Sequence, residues 1–417
     1  MPPAHRACGR RRAPGRRRSA GRFHPPARGT GRALQAGPGP PGGHPGVVRE
    51  GGEKMRITAC DVYRVAIPLL QPFVIASATQ RAYGGVLLRL RTADGLEGWG
   101  EAAPSPIVTG ETPDAVAARL LRARRRIRSL DPLETERSVA AAFGFLRGSS
   151  ALAAVDIALH DLKGQYYAAP VHRLLGGFRS EIETCMTISI RDATETLRQA
   201  GEIVSRGFRS LKLKLGSDPD RDIARVRLVR SCLGSAVRLR LDANQGYSVA
   251  GALRVLRAVH GCDIEFCEQP VPMGDLRALA KVSRGSPVPV MADESVRGPE
   301  ELLRIIQMRA AAMVNLKLMK AGGLHRARQM VALAESAGMP CQVGCMIETR
   351  IGVTAGTHLA LACGGVRYAD LDGHLHLASD PCQGGVFTSS GLNRLSPGAG
   401  LGLAVKAPNA RGSRRRR

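Results

Sequence analysis

No apolar stretch in this 417-residue chain reaches the length of a membrane span, so no membrane association is expected. Aromatic residues are also scarce, 4% against 44% hydrophobic residues overall, the balance of an Ala/Leu/Val-rich α/β enzyme. The ten cysteines include no C-x-x-C pair. Their nearest approaches are Cys262/Cys267 and Cys341/Cys345, and most sit in apolar surroundings. That spacing disfavours a zinc site or a disulfide framework and predicts reduced, buried thiols in a cytoplasmic protein. Residues 1–54 have almost no β-branched side chains and no apolar core region of the kind a secretory or twin-arginine signal needs. They hold the runs Arg10–Arg12 and Arg16–Arg18 among many Pro and Gly, and are expected to be disordered. An organellar transit peptide fits poorly, because Pro and Gly break the amphipathic helix it requires. Met55 opens the strand-like run MRITACDVYRVAIPL and is the expected translation start.

The formal net charge of +26 invites a nucleic-acid reading, but its distribution argues otherwise. Residues 1–54 contribute a net +10, and five arginines crowd into residues 411–417. The remaining +11 is spread thinly over 356 residues, so no nucleic-acid partner is expected.

At this length two domains with well-buried cores are possible. From Met55 the pattern alternates apolar and polar, with turns expected at PLLQP and AYGG, then TADG leading into a third strand, LEGWGEAAPS. Residues 112–175 turn helical: TPDAVAARLLRARRRI opens with a Thr cap and an early Pro, and SSALAAVDIALHDLKGQYY follows. Residues 55–177 therefore predict a small α+β capping domain. Residues 178–375 repeat strand–helix pairs seven or eight times, the first strand at 182–190 and the last at 366–370, which predicts a parallel TIM-like barrel. Residues 376–417 are too irregular for another unit; they are expected to pack on the first domain and to end in a basic tail.

Within the repeat, polar groups recur at strand ends. Asp242, Glu268 and Asp293 stand 26 and 25 residues apart; Lys214 precedes them by 28 residues and Lys317 follows by 24. One such group per β/α unit brings all five to the C-terminal mouth of the barrel, where such barrels keep their active sites. Lys212 and Lys214 alternate with Leu211, Leu213 and Leu215, so both ammonium groups share one face. A solvated lysine pair on a surface strand is the competing reading, disfavoured by the apolar context FRSLKLKLG. Each carboxylate taken alone could be a helix cap or an ion-pair partner. Together they offer three hard oxygens with no His or Cys beside them, the ligand set of Mg²⁺. Of Lys317 and Lys320, spacing selects Lys317 as the inward residue and leaves Lys320 for solvent. Opposed lysines near a divalent cation are expected to have lowered pKa values, so that one can act as base while the other acts as acid. Asp370 and Asp372 alternate at a strand end and predict a doubly negative pocket for a cation, with two loop caps as the alternative.

The series K-x-K, DANQG, EQP, ADES and NLKLMK resembles the enolase superfamily, specifically its muconate-lactonising subgroup. PFVIAS, GWGEA, LHDLKG, LLGG and DLDG make residues from about Met55 to about Val405 similar to dipeptide epimerases of the Ala-Glu type. The resemblance implies a modified (β/α)7β barrel under an N-terminal cap. It implies Mg²⁺ on Asp242, Glu268 and Asp293, chelated by the carboxylate of a small dipeptide substrate. Loss of the α-proton of the C-terminal residue would give a metal-stabilised enediolate, and two-base 1,1-proton transfer would invert that carbon. Lys214 would serve the R and Lys317 the S configuration, with Lys212 assisting the carboxylate. Thr187, Cys345 and Ile347 would contact substrate, and Asp370 and Asp372 would take its α-ammonium. A homo-oligomer is expected.

No His closes the strand PCQVGCM, which speaks against the mandelate-racemase branch. Two departures stand out: Ala78 occupies the place where Ala-Glu epimerases carry an arginine, with Arg81 nearby but out of register, and Tyr247 replaces a common Trp as a conservative change. Other superfamily activities, namely muconate cycloisomerase, o-succinylbenzoate synthase and N-acylamino-acid racemase, stay open. So does a non-catalytic protein acting through its Arg-rich ends.

Overall fold

The structure, a computed structural model, describes residues 55–406; the expectations for residues 1–54 and 407–417 lie outside the described residues. The chain begins with a three-stranded antiparallel meander of β1 (Ile57–Ile75), β2 (Ala78–Thr92) and β3 (Glu97–Ala102). The expected turns at PLLQP and AYGG are not turns. The first is an irregularity inside β1, where pairing shifts between Pro68 and Phe73; the second lies within β2. Gly85 serves packing, not chain reversal, since a Cβ there would lie 1.8 Å from the Tyr83 hydroxyl.

Four helices follow: α1 (Pro113–Ile127), α2 (Thr135–Phe145), α3 (Ser149–Tyr166) and α4 (Val171–Leu175). Thr112 caps α1 by accepting from Ala115 N, Pro113 opens it, and Arg124–Arg126 close it against the negative end of the dipole. α3 is apolar nearly all round and buried along its length, so it must pack on several sides. One contact is with β3, where a Cβ on Gly100 would fall 1.9 Å from the Ala154 carbonyl oxygen; glycine is what allows the approach.

Eight parallel strands make the second sheet: β5 (Met186–Ile188), β6 (Ser210–Lys214), β7 (Arg238–Asp242), β8 (Ile264–Glu268), β9 (Val290–Ala292), β10 (Met313–Lys317), β11 (Cys341–Gly344) and β12 (Val366–Asp370), neighbours in that order. A bridge between Thr184 and Ala369 joins the first edge to the last. The seven crossovers after β5 to β11 carry α5 (Ala193–Ser205), α6 (Pro219–Leu233), α7 (Val249–Ala258), α8 (Leu276–Gly285), α9 (Pro299–Met308), the single turn α10 (Leu318–Ala321) with α11 (Leu324–Ser336), and α12 (Arg350–Ala362). The barrel is thus (β/α)7β. Its expected first strand is divided. β4 (Glu181–Glu183) leaves the barrel to pair with β15 (Leu392–Leu395), which also pairs with β14 (Val386–Ser389); β13 (Cys382–Gly384) pairs with β16 (Leu403–Val405).

Leu211, Leu213 and Leu215 join the main core, while Lys212 and Lys214 face the barrel axis. Phe266, Met291 and Met313 pack against Tyr368 as a separate apolar cluster of barrel-strand residues. Arg240 lies over the Phe266 and Tyr368 rings and donates to Glu265 at 2.7 Å. The barrel interior is therefore packed, not a pore. Residues after β12 contact the helical region: Leu401 N donates to Asp161 at 2.8 Å and Val171 N to the Gly400 carbonyl at 2.9 Å. Among the described residues, no helix is long and apolar enough to cross a membrane, and all nine cysteines are free thiols.

Candidate active site

Parallel register assembles the site. Thr187 pairs with Lys212, Lys214 with Asp242, Asp242 with Glu268, Lys317 with Gly344, and Gly344 with Asp370. Asp293 directly follows β9. Asp242, Glu268 and Asp293 are each 0% exposed, and the lysines fill the space between them. Lys212 Nζ lies 2.9 Å from Asp242 Oδ2, 2.9 Å from Glu268 Oε2 and 2.6 Å from Asp370 Oδ2. Lys214 Nζ reaches Asp242 Oδ2 at 2.6 Å, and Lys317 Nζ reaches Asp293 Oδ2 at 2.7 Å. Lys214 is buried, so it is not a solvated surface lysine, and Phe73 of the cap lies over its ammonium at 5.9 Å.

Lys320 does not face solvent either. It is 3% exposed and binds Asp293 through both Oδ1 and the main-chain carbonyl, as well as the Asn315 carbonyl at 3.1 Å. The single turn α10 folds it back under the site.

Electrostatics follow from these contacts. Burial disfavours the charged form of Lys317, but Asp293 and Glu268 outweigh it and raise the ammonium pKa. This differs from the expected lowering: with the protein's groups alone, carboxylates dominate the surroundings of Lys317. Lys320 is lowered, burial being the larger influence. Burial works against ionised Asp242, yet Lys212 and Lys214 hold it below the usual carboxylate range; Lys317 and Lys320 do the same for Asp293. Glu268 is pushed up to about 8 by burial and by the charge of Asp242. Glu294 rises to about 7 from burial and Asp293.

That crowding tests the fit of a divalent cation. Three buried carboxylates meet at one end of the barrel with no His or Cys among them, the charges of Asp242 and Asp293 opposing ionisation of Glu268, and such a set suits a hard cation. Among the described residues no three acidic, His or Cys side chains are already closed around one point. The inner oxygens are instead held by Lys212, Lys214 and Lys317, which would have to yield them. Asn315 Nδ2 and Gln342 Nε2 donate to the two Glu268 oxygens at 2.9 and 3.2 Å and fix its orientation.

Above this layer a cavity of about 160 Å³ is lined by Lys212, Lys214 and Lys317 and by the substrate-side candidates Thr187, Cys345, Ile347, Asp370 and Asp372. Asp370 is already engaged. Its Oδ1 accepts from the Cys185 thiol at 3.2 Å and its Oδ2 faces Lys212, so an incoming ammonium competes with Lys212. Asp372 Oδ2 accepts the Thr187 amide at 2.7 Å and stands 3.4 Å from His376 Nε2. Burial opposes its ionisation, but His376 and Thr187 hold it well below the usual range. Neither aspartate caps the short 3₁₀ turn that follows, Gly373–His376, through its side chain. Ala78 and Gln80 line the cavity, whereas exposed Arg81 is not part of its wall.

Sequence reasoning missed four supports. Lys320 was visible only as the second lysine of NLKLMK. Tyr247 is not a neutral stand-in for Trp: its hydroxyl donates to Asp222 at 2.6 Å and accepts from Gly216 N at 3.1 Å, two residues beyond Lys214. Arg225 ties Asp222 to the Lys214 carbonyl. Glu101, next to the end of β3, carried no signal beyond its place in GWGEA.

Comparison with known proteins agrees with this geometry. Residues 57–176 match the pattern of the mandelate racemase / muconate lactonizing enzyme N-terminal domain, and residues 195–409 that of the enolase C-terminal domain-like family. The L-Ala-D/L-Glu epimerase of Clostridium acetobutylicum is 39% identical over 343 residues, 81% of this chain and 96% of that protein. The substrate-liganded L-Ala-D/L-Glu epimerase of Bacillus subtilis superposes with a TM-score of 0.83 at 36% identity, covering 85% of this chain and all of that one. The dipeptide epimerase of Enterococcus faecalis, solved with Mg and the dipeptide L-Leu-L-Tyr, gives 0.82 at 35%, covering 84% and 100%. The chain therefore belongs to the enolase superfamily, among its mandelate racemase / muconate lactonizing enzymes.

Proposed function

We propose that the protein is a Mg²⁺-dependent dipeptide epimerase that inverts the α-carbon of the C-terminal residue by two-base 1,1-proton transfer. One observation carries the reading. β6 and β10 are four places apart in an eight-strand barrel, so Lys214 and Lys317 lie on opposite sides of one cavity. β8 and β12 are likewise four places apart, which sets Glu268 opposite Asp370 on a crossing diameter. A dipeptide lying along the second diameter puts its carboxylate on the Asp242–Glu268–Asp293 side and its ammonium by Asp370 and Asp372. Its α-carbon then falls between the lysines. One lysine removes the proton from one face and the other returns a proton to the opposite face. Mg²⁺ on the three carboxylates would hold the substrate carboxylate and offset the charge that develops there. Lys212 neutralises that same carboxylate end, and the cap residues over Lys214 exclude water. The relatives named as dipeptide epimerases support this assignment. Free thiols throughout the described residues support a cytoplasmic setting.

Cycloisomerisation, o-succinylbenzoate synthesis and N-acylamino-acid racemisation use substrates without an α-ammonium, which would leave Asp370 and Asp372 with only Lys212 and His376 beside them. Asp370→Asn is therefore expected to cost about 1.5–3 kcal/mol for peptides with a free amino terminus. That is about 10- to 150-fold in kcat/KM. N-acetylated peptides, compared in the same assay, should be affected far less; an equal loss on both would refute the ammonium assignment.

Ala78 supplies no cation for a side-chain carboxylate, and Arg81 lies outside the cavity wall. Dipeptides with an uncharged C-terminal residue are expected to be turned over faster than L-Ala-L-Glu. A library screen led by L-Ala-L-Glu, with that lead erased by Arg81→Ala, would overturn this expectation.

A further inference from the structure

Glu101 is the next-to-last residue of β3 at 0% exposure, and its charge is met by hydroxyl and amide donors. Oε1 accepts from Tyr83 Oη at 2.6 Å and from Thr349 N at 2.9 Å; Oε2 accepts from Thr349 Oγ1 at 2.5 Å and Gly352 N at 2.8 Å. Thr349 is the N-cap of α12, and the amides of this cap and of Gly352 in the first turn have no partner inside the helix. A carboxylate at that end also meets the positive end of the helix dipole. The cap strand β3 thus performs an N-capping role for a barrel helix.

The position matters because three stretches of cavity wall run into this carboxylate. Tyr83, bonded to it, lines the cavity from β2. The segment leaving Glu101 lines it through Ala103, Pro104 and Ser105. The loop entering Thr349 lines it through Cys345, Met346 and Ile347. Glu348 braces the same loop, accepting Met346 N at 2.8 Å. Gly352 makes room for both acids, since a Cβ there would lie 2.3 Å from Glu348 Oε2 and 3.1 Å from Glu101 Oε2.

We infer that Glu101 is a positioning residue for substrate: it pins the cap's share of the cavity wall to the 345–347 loop, and so governs substrate binding, not proton transfer. The inference rests on the dipeptide reading for its kinetic arm only. Glu101→Gln preserves shape but turns an amide NH₂ toward donors that need an acceptor. KM for dipeptides should rise about tenfold or more, with kcat within about threefold of wild type. Amide exchange at Thr349 and Gly352 should accelerate, while exchange in α7, which follows the strand opposite β11, stays unchanged. Thr349→Val, which removes one of the four donors, should move both readouts in the same direction by less, and it carries the test if Glu101→Gln does not fold. A lowered Tm with wild-type KM, or unchanged exchange at 349–352, would overturn the inference. If the wild-type protein epimerises no dipeptide, the functional reading fails by itself and the exchange measurement alone decides the latch.

Discussion

Asp242→Asn should leave a folded protein whose epimerase turnover is down about a thousandfold or more, the several kcal/mol expected when a cation can no longer stabilise developing charge. The substitution is nearly isosteric. Asn keeps the oxygen that accepts Asn244 N at 2.9 Å and loses the charge that holds Lys212 and Lys214. Lys212 retains Glu268 and Asp370, so the fold keeps most of its buried ion pairing. In the wild type, EDTA should abolish activity and Mg²⁺ restore it. Mg²⁺ should also raise the melting temperature, because a ligand bound only by the native state stabilises it by about 2.7 kcal/mol at a hundred times its Kd. Asp242→Asn should show no such rise. Full wild-type rates in metal-free buffer, or a variant that still melts higher with Mg²⁺, would contradict the carboxylate site.

Lys317→Ala should abolish inversion, with a loss of about 10²–10⁴-fold, the usual contribution of a positioned acid–base group. It should not abolish every proton exchange. Lys214, on the opposite wall, can still remove and return a proton on its own face. In D₂O, Lys317→Ala should therefore exchange the α-proton of the R isomer without inverting it, and Lys214→Ala should do the same for the S isomer. The two variants would then divide the reaction by face, an outcome that general loss of structure cannot imitate. If Lys317→Ala epimerises in both directions at wild-type rate, the assignment moves to Lys320, which is buried and bound to Asp293 from the same strand end.

Much of this site was legible because barrels convert sequence spacing into geometry. A carboxylate every 25 or so residues at the end of an apolar run has one place to go once strands are parallel and in register. Strand alternation then separated Lys212 and Lys214 from the leucines between them. Contacts that cross the fold had no such periodicity. Glu101 meets Thr349 across 248 residues, and Lys212 meets Asp370 across 158, so neither pairing had a local signature. Glycine misled where it marks close packing: AYGG reads as a turn, but Gly85 is there to clear the Tyr83 ring. The interrupted first barrel strand was hidden for the same reason, because β4 pairs with β15, a strand more than 200 residues further on. The hydroxyl of Tyr247 shows the converse error, a substitution judged by size when its hydrogen bonds decide its role.

The central claim is that two opposed lysines exchange the α-proton of a carboxylate-bound dipeptide. Its most direct test is incubation of the wild-type protein with Mg²⁺ and a library of L,L-dipeptides in D₂O, read by mass and by chiral separation. The account predicts a gain of one deuterium in the C-terminal residue of some dipeptides, accompanied by appearance of the L,D product, with both lost after EDTA. Deuterium appearing only in the N-terminal residue, or inversion without deuterium uptake from solvent, would contradict it.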